Sequence, residues 1–379
     1  MKISSKILPT EVQKIFKIFG SEIRLVGGCV RDLILQKSIK DFDFATSLKP
    51  QEVIKILKKY QITAIPTGLK YGTITAVLNG KNFEITTLRI DKNQQGRACE
   101  VEFTDNFKAD AARRDFTINA IYIDHLGKIY DYFDGIKHLK QQKLIFIGNS
   151  QERIKEDYLR IFRFFRFALQ YSKIIDKEAL NSCILQKKNL KKLSRERIRS
   201  EFVKIFQTKN SQKLIKILQV MQKTGILGEI FDEKLQLNRL SRLLKICPKA
   251  NLELKLLTTF LTKKSQINNF CQEICATKLE RKFFNFVFAN NSKKIDKEFL
   301  NLLLAFNEKN KDFVINFYLF SCVKKPNRKA IYLKYLQDFN LPNFPITAKD
   351  AQNLGFKNAE IGKFLIKMRK KWAKNTFIC

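Results

Sequence analysis

The sequence is poor in the residues on which several kinds of chemistry depend. Of its 379 residues only two are histidine, His125 and His138. Neither is followed by aspartate, so a histidine-aspartate phosphohydrolase module is absent. The eight cysteines are scattered, and the closest pair, Cys271 and Cys275, has the spacing of one helix face rather than of a zinc knuckle. Reduced thiols in a cytosolic protein are the expectation. No apolar run reaches the 18 residues of a membrane-spanning helix, and residues 1–10 are too short and mixed for a signal peptide. A soluble, cytoplasmic protein is expected.

Acidic residues are scarce as well: 36 of them face 72 lysines and arginines, for a formal charge of +36. Such an imbalance fits a polyanionic partner, nucleic acid above all, held by salt-sensitive attraction. Coding bias also feeds the lysine count, because Lys, Ile, Asn and Phe are abundant together. The length exceeds one usual domain, so two to four units are expected, with ample residues for a core.

The chain is organised around residues 25–45, LVGGCVRDLILQKSIKDFDFA. A short apolar run at 23–26 suits a buried strand, breaks at Gly27-Gly28, and gives way to a helical pattern over 30–36. A glycine turn between strand and helix can bring bare backbone N–H groups against a phosphate. Arg31, one turn into the helix, could grip the same phosphate with its guanidinium. In a strand, Asp41-Phe42-Asp43-Phe44 puts both aspartates on one face and both phenylalanines on the other. Paired carboxylates can bridge divalent metals, magnesium being the natural guest, and clamp a phosphoryl displacement. A lone Asp-x-Asp is more often a solvated surface turn; the glycine turn and Arg31 close upstream shift the balance towards the metal reading. Asp32 reads as structural, a partner for an arginine or a helix-end amide.

Around this core the periodicity predicts helices at 10–19 and 50–60. It predicts strands at 72–78 and 83–89 joined by the hairpin signal Asn79-Gly80. Glu84, in the second strand, reads as supporting. Residues 91–96 (DKNQQG) read as a mobile loop. Residues 118–123 and 128–133 form a closing hairpin, with Asp134-Gly135 as exit turn and a boundary near 145. From Asn149 the character is helical. Asn149 with Glu152 resembles a capping box opening one helix through residue 167. Ile154, Tyr158, Ile161, Phe162, Phe165 and Leu169 cover its core face. Asp157, Arg160 and Arg163 lie opposite with Phe164 and Phe167 among them, so this polar face borders a cleft. An RNA-facing or salt-bridged helix and a nucleotide site fit that pattern equally. Beyond 207, amphipathic helices recur at 214–221, 240–246, 252–261, 283–288 and 299–306 without a catalytic signature. Pro342 to Pro345 punctuates the chain.

The order G-G-x-V-R-D followed by D-x-D resembles the first motif of class II nucleotidyltransferases of the DNA polymerase β superfamily, the tRNA CCA-adding enzymes and bacterial poly(A) polymerases. RRDFTINA (113–120) resembles the family's second motif, and EDYLRIFRFFRFA (156–168) its E-D-x-x-R-x-x-R-x-x-R-F motif. SRERIRSEF (194–202) resembles the motif that braces the neck, and LGFKNAEIGKFL (354–365) more loosely the tail of some members. The resemblance implies an α+β head of DNA polymerase β-type nucleotidyltransferase fold, a mixed sheet with flanking helices, over residues 1–145. It implies an all-α neck at 146–210 for base recognition and RNA binding, and a helical body and tail at 211–379 that bind tRNA. The activity implied is Mg2+-dependent transfer of CMP and AMP from CTP and ATP to the tRNA 3′ end, releasing pyrophosphate.

Residue by residue, Asp41 and Asp43 would be catalytic metal ligands, and Gly27, Gly28 and Arg31 would meet the phosphates. Arg114 would contact the nucleotide, Asn119 would support the ribose site, and Arg113 and Asp115 could equally fix the turn. Asp157 and Arg160 would read the base, while Arg163 and Arg166 hold the nucleotide. Relatives often carry a third carboxylate near the metals, the place of Glu84. In CCA-adding enzymes a flexible loop at 91–96 is implicated in switching from C to A, so its presence leans towards full CCA addition. Poly(A) polymerases and A-adding or CC-adding enzymes share the head motifs. A catalytically silent RNA-binding protein fits the charge but not the intact Asp41/Asp43 pair.

Overall fold

The structure, a computed structural model, describes residues 3–4, 7–95, 98–325 and 330–377. Two compact units are present, Met1–Ile205 with Thr224–Glu229 and Phe206–Lys223 with Ile230–Cys379.

In the first unit α1 (Thr10–Phe19) buries Val12, Ile15, Phe16 and Phe19, the stripe its spacing calls for. It leads into β1 (Ile23–Val26), α2 (Gly28–Ile34), β2 (Asp43–Thr46) and α3 (Pro50–Lys59). Then come β3 (Thr63–Gly68), β4 (Thr73–Leu78) and β5 (Lys81–Thr87), β4 and β5 being joined through Asn79 at φ 52° and Gly80 at φ 71°. Two consecutive left-handed residues make the tight turn whose twist suits a hairpin. The ribbon β6 (Arg89–Gln95) and β7 (Ala98–Phe103) stands apart as a two-stranded sheet. Residues 91–95, expected as mobile loop, are therefore strand, Asp91 lying opposite Val101 and Lys92 opposite Glu100; residue 96 of that loop lies outside the described residues. Next are α4 (Phe107–Ala112), β8 (Ile121–Ile123), β9 (Ile129–Asp131) and α5 (Gly135–Lys140), whose first turn is capped by the Asp131 carboxylate on the amides of Gly135 and Ile136.

Seven strands form one sheet in the order β3-β4-β5-β2-β1-β8-β9. All neighbours are antiparallel except β2 and β5, which run parallel. One face, with Ile23, Leu25, Phe44, Ile74, Phe83, Ile85, Ile121 and Ile123, packs on α1, α2 and α3. The opposite face carries Val26, Ala45 and Tyr122 in a smaller apolar patch with Ala111 and Phe107 of α4, and beyond that patch it is polar. This period-2 division is what an antiparallel-rich sheet with one covered face requires.

The neck comprises α6 (Ser150–Glu156), α7 (Leu159–Tyr171), α8 (Lys177–Gln186) and α9 (Arg195–Phe206). Asn149 caps α6, accepting from the amides of Gln151 and Glu152. The single helix expected across residue 157 is instead broken there. Asp157 is extended, at φ −152° and ψ 107°, and its carboxylate accepts the Leu159 amide at 3.1 Å. Aspartate competes with the helix for its own backbone and serves better at a helix start than inside one.

The second unit is helical throughout: α10 (Ser211–Lys223), α11 (Leu237–Ile246), α12 (Leu252–Phe260), α13 (Ile267–Glu273), α14 (Lys278–Asn290), α15 (Lys297–Phe306), α16 (Lys311–Lys324), α17 (Leu333–Asp338), α18 (Ala348–Asn353) and α19 (Ala359–Lys374). Helix α16 is buried from Phe313 to Val323 on nearly every side. Among the described residues no helix is long and apolar enough to cross a membrane.

Candidate active site

The polar face of the sheet is centred on Asp43. The strand begins at this residue, so Asp41 lies just ahead of β2 rather than within it. Phe42 and Phe44 nevertheless both enter the apolar core. The parallel pairing of β2 with β5 sets Glu84 opposite Asp43. Burial, then the charges of Glu84 and Asp41, push the Asp43 carboxyl up to about 6, with Arg114 pulling the other way. Three carboxylates thus crowd one end of the sheet with too little positive charge to balance them, the electrostatic condition that a divalent cation relieves. Among the described residues no group of three or more His, Cys, Asp or Glu side chains is set to hold a metal ion, so an ion here would rest on fewer side chains together with its substrate. Magnesium suits such an open site, since it keeps waters and takes one or two carboxylates together with substrate phosphates.

The glycine turn adjoins this end. Gly27 sits at φ 78°, and a Cβ there would lie 3.4 Å from Nη1 of Arg114 and 3.7 Å from the Asn119 carbonyl oxygen. The left-handed backbone and the close approach both call for glycine. Arg31 is buried and donates from Nη1 to Asn119 (2.6 Å) and from Nε and Nη2 to the two oxygens of Asp32 (3.1 Å each). Asp32 is accordingly structural, as its position implies. Arg114 donates to the Tyr122 hydroxyl (3.2 Å) and to Asp110 (3.1 Å).

Arg153, Arg160, Arg163, Arg166 and Arg197 of the neck each have an acidic partner. Arg163 donates to Asp115 from Nε (2.7 Å), and Asp115 also accepts from Asn119 (3.0 Å) and the Phe116 amide. Arg160 is buried; its Nη1 donates to Glu156 (2.6 Å) and to the Arg153 carbonyl (2.7 Å). Arg166 pairs with Glu201 of α9, and Asp157 accepts from Arg197 of α9 at 2.7 Å. Helix α9 thus braces the neck at two points, the role its motif implies. The Arg160 amide donates to the Asp157 carbonyl (3.0 Å), but their side chains are steadied by different neighbours, Glu156 for Arg160 and Arg197 for Asp157.

The structure therefore gathers Gly27, Gly28, Arg31, Asp41, Asp43 and Arg114 at one end of the sheet. Asn119 and Asp115 connect this group to Arg163, and Arg113 and Arg114 both clasp Asp110. Sequence reasoning left out Asp110, Arg153, Glu156, Arg197 and Glu201. Their one signal is the alternation of acids with arginines along 110–115 and 153–163, which marks ion pairing without saying who pairs with whom.

These pairs carry a pH signature. Burial raises the carboxyls of Asp110 and Asp115, but Arg114 and Arg113 for the first and Arg163 and Asn119 for the second outweigh it, leaving each at about 2. An unfolded aspartate titrates near 3.9, so the stability each adds, roughly 2 kcal/mol, is complete above about pH 4 and lost as pH falls to about 2. Acid unfolding followed by circular dichroism should steepen across that window and be flatter in Asp115→Asn. Identical acid limbs would show that Asp115 contributes none of it.

A mixed sheet bearing a glycine turn and clustered carboxylates on one polar face, followed by arginine-rich helices, defines a nucleotidyltransferase. Residues 23–145 match the family model of the poly A polymerase head domain, and residues 174–236 match the probable RNA and SrmB-binding site of polymerase A. The human CCA tRNA nucleotidyltransferase 1, mitochondrial, is 32% identical over 372 residues, covering 94% of this chain and 84% of its own. A CCA-adding enzyme of Oceanobacillus iheyensis is 40% identical over 205 residues, 54% of this chain and 50% of its own. The solved structure of the Bacillus stearothermophilus CCA-adding enzyme in complex with CTP superposes with a TM-score of 0.76 at 21% identity, covering 97% of this chain and 93% of that one. The Thermotoga maritima CCA-adding enzyme complexed with tRNA gives 0.69 at 18% identity, covering 97% and 92%. The chain belongs to the CCA tRNA nucleotidyltransferase family.

Proposed function

We propose that the protein adds CMP and AMP from CTP and ATP to the 3′ end of tRNA, releasing pyrophosphate and using no nucleic-acid template. The observation that carries this reading is the carboxylate group of Asp43, Asp41 and Glu84 set beside the glycine turn and Arg114. Human and bacterial relatives named for CCA addition support it, as do fold neighbours solved with CTP, ATP and tRNA.

Asp41 and Asp43 are the proposed magnesium ligands, with Glu84 beside them as a third carboxylate. Bound there, magnesium supplies a lowered pKa for the terminal tRNA hydroxyl and charge neutralisation at the phosphates. Gly27 and Gly28 let the triphosphate approach the backbone, and Arg31 and Arg114 meet its oxygens. Arg31 keeps N–H groups beyond the three it spends on Asn119 and Asp32. Asp157 and Arg160 present acceptors and donors to the base edge. Arg163 and Arg166 hold the nucleotide, the first retaining 31% side-chain exposure. Residues 146–210 are assigned to nucleotide and RNA contact and 211–379 to the tRNA body. On α19 the exposed Lys363, Lys367 and Lys370 repeat at helical spacing along one face. The cytoplasm is the proposed compartment, a reducing setting that suits the scattered cysteines.

The test is incubation of the purified protein with tRNA ending before CCA, given CTP and ATP separately and together, with tRNA affinity followed across salt. Addition of CCA and then arrest is expected, with affinity falling steeply as salt rises. Continued A addition in excess ATP would make it a poly(A) polymerase, and binding without any addition a silent RNA-binding protein.

A further inference from the structure

Tyr171, the last residue of α7, lies outside every motif described above and yet touches Arg31 and Asp32 of α2 and Lys37 just beyond it. Its hydroxyl donates to Asp32 Oδ1 at 3.0 Å. Its ring lies 4.2 Å from the Arg31 guanidinium carbon and 4.7 Å from the Lys37 ammonium. Phe167, one turn back along α7, adds a second ring 5.4 Å from Arg31. Asp32 is the same carboxylate that receives two N–H groups of Arg31.

Arg31 is thus held by three neighbours: the Asp32 carboxylate, Asn119 at Nη1, and the rings of Tyr171 and Phe167 at the end of α7. A guanidinium stacked on a ring and bound in a fork by a carboxylate has lost most of its rotamer freedom before any ligand arrives. Pre-ordering of this kind favours ligand binding by removing the cost of immobilising the side chain. The Tyr171 hydroxyl remains protonated at neutral pH, since burial raises its pKa to about 12 despite the opposing charge of Arg31. It therefore stays a donor to Asp32.

Building on the assignment of Arg31 to the triphosphate, we propose that Tyr171 is a positioning residue for phosphate binding: by fixing the Arg31–Asp32 pair it presets the cation that meets the triphosphate and ties it to the helix carrying Arg160, Arg163 and Arg166. The ligand class is the polyphosphate of any nucleoside triphosphate, irrespective of base. Loss of Tyr171 should weaken the grip on all triphosphates alike, while base choice stays as it was.

Inorganic tripolyphosphate in magnesium buffer, titrated calorimetrically into the full-length protein, reads the phosphate grip without base or reaction. Tyr171→Phe keeps the ring and loses the hydroxyl, and should raise the dissociation constant about threefold. Tyr171→Ala loses both, for about tenfold. In transfer assays on one tRNA, KM for CTP and for ATP should rise by the same factors, with kcat within about twofold and discrimination against UTP and GTP unchanged. A purely structural role would lower the melting temperature or active fraction and leave tripolyphosphate affinity alone. Unaltered affinity in both variants overturns the proposal, as does a loss confined to one nucleotide. Should the wild-type protein fail to extend tRNA, the functional reading falls on that result, while the tripolyphosphate titration still decides the role of Tyr171.

Discussion

Asp43→Ala is expected to abolish nucleotide transfer, by about 10³-fold or more, with tRNA affinity unchanged. Asp43 stands where the parallel pairing of β2 and β5 brings Glu84 across from it, and its carboxyl is pushed up to about 6 by burial and by its acidic neighbours. A carboxylate so placed is unfavourable when ionised without a cation beside it. Metal-borne charge stabilisation is worth several kcal/mol in a transition state, and at 1.36 kcal/mol per decade that gives the stated loss. Asp41→Ala should follow in the same direction. The measurement is single-turnover incorporation of CTP on tRNA lacking its CCA end, beside a filter-binding isotherm for the same tRNA. Retained turnover in Asp43→Ala would remove it from the metal site. A parallel loss of tRNA affinity would mean the carboxylate serves the fold instead.

Asp157→Ala and Arg160→Ala should lose selectivity among the four nucleotides by one to two decades, more than they lose the chemical step. Arg160 presents donors in a rigid fork and Asp157 presents acceptors. Together they can complement the N3 and carbonyl acceptors and the amino donor of cytosine, and can be rearranged for adenine. UTP and GTP leave groups in that site unpaired, at about 1 to 3 kcal/mol each. The structure adds a condition. Arg160 also holds Glu156 and the Arg153 carbonyl, and Asp157 caps α7 while anchored by Arg197. Both substitutions will therefore cost stability, and the diagnostic is the ratio between nucleotides. Single-turnover rates with CTP, ATP, UTP and GTP on one tRNA supply it. If both variants slow all four equally, the residues brace the neck and read no base.

Much of the head was legible because its signals are local. The strand, glycine turn and helix of 23–34 follow from apolar runs and a chain break, and the Asn79-Gly80 hairpin from two residues that tolerate positive φ. The amphipathic helices of the body were likewise readable from their stripes, as α10 and α11 show. Helix α16 was not, because a helix buried on nearly all sides has no apolar face to distinguish from a polar one. Strand β6 escaped for the opposite reason: residues 89–95 (RIDKNQQ) are almost wholly polar and carry no apolar alternation, and the strand is defined by its pairing with β7.

The sequence by itself determined the strand, glycine turn and helix of 23–34, the flanking helices α1 and α3 and the Asn79-Gly80 hairpin, and it named the groups proposed for the site. It placed the glycine turn, Arg31, Asp41, Asp43, Arg114 and the arginine ladder of the neck, because turn chemistry and helical or strand period depend only on near neighbours. Tertiary structure alone decided who meets whom. The parallel crossing of β2 and β5 put Glu84 opposite Asp43, the break at Asp157 separated it from the helix of Arg160, and α9 came back to hold Arg197 on Asp157 and Glu201 on Arg166. An ion pair depends on distance in space, and residues 35 or 40 positions apart in the chain carry no local mark of the partner that folding brings them.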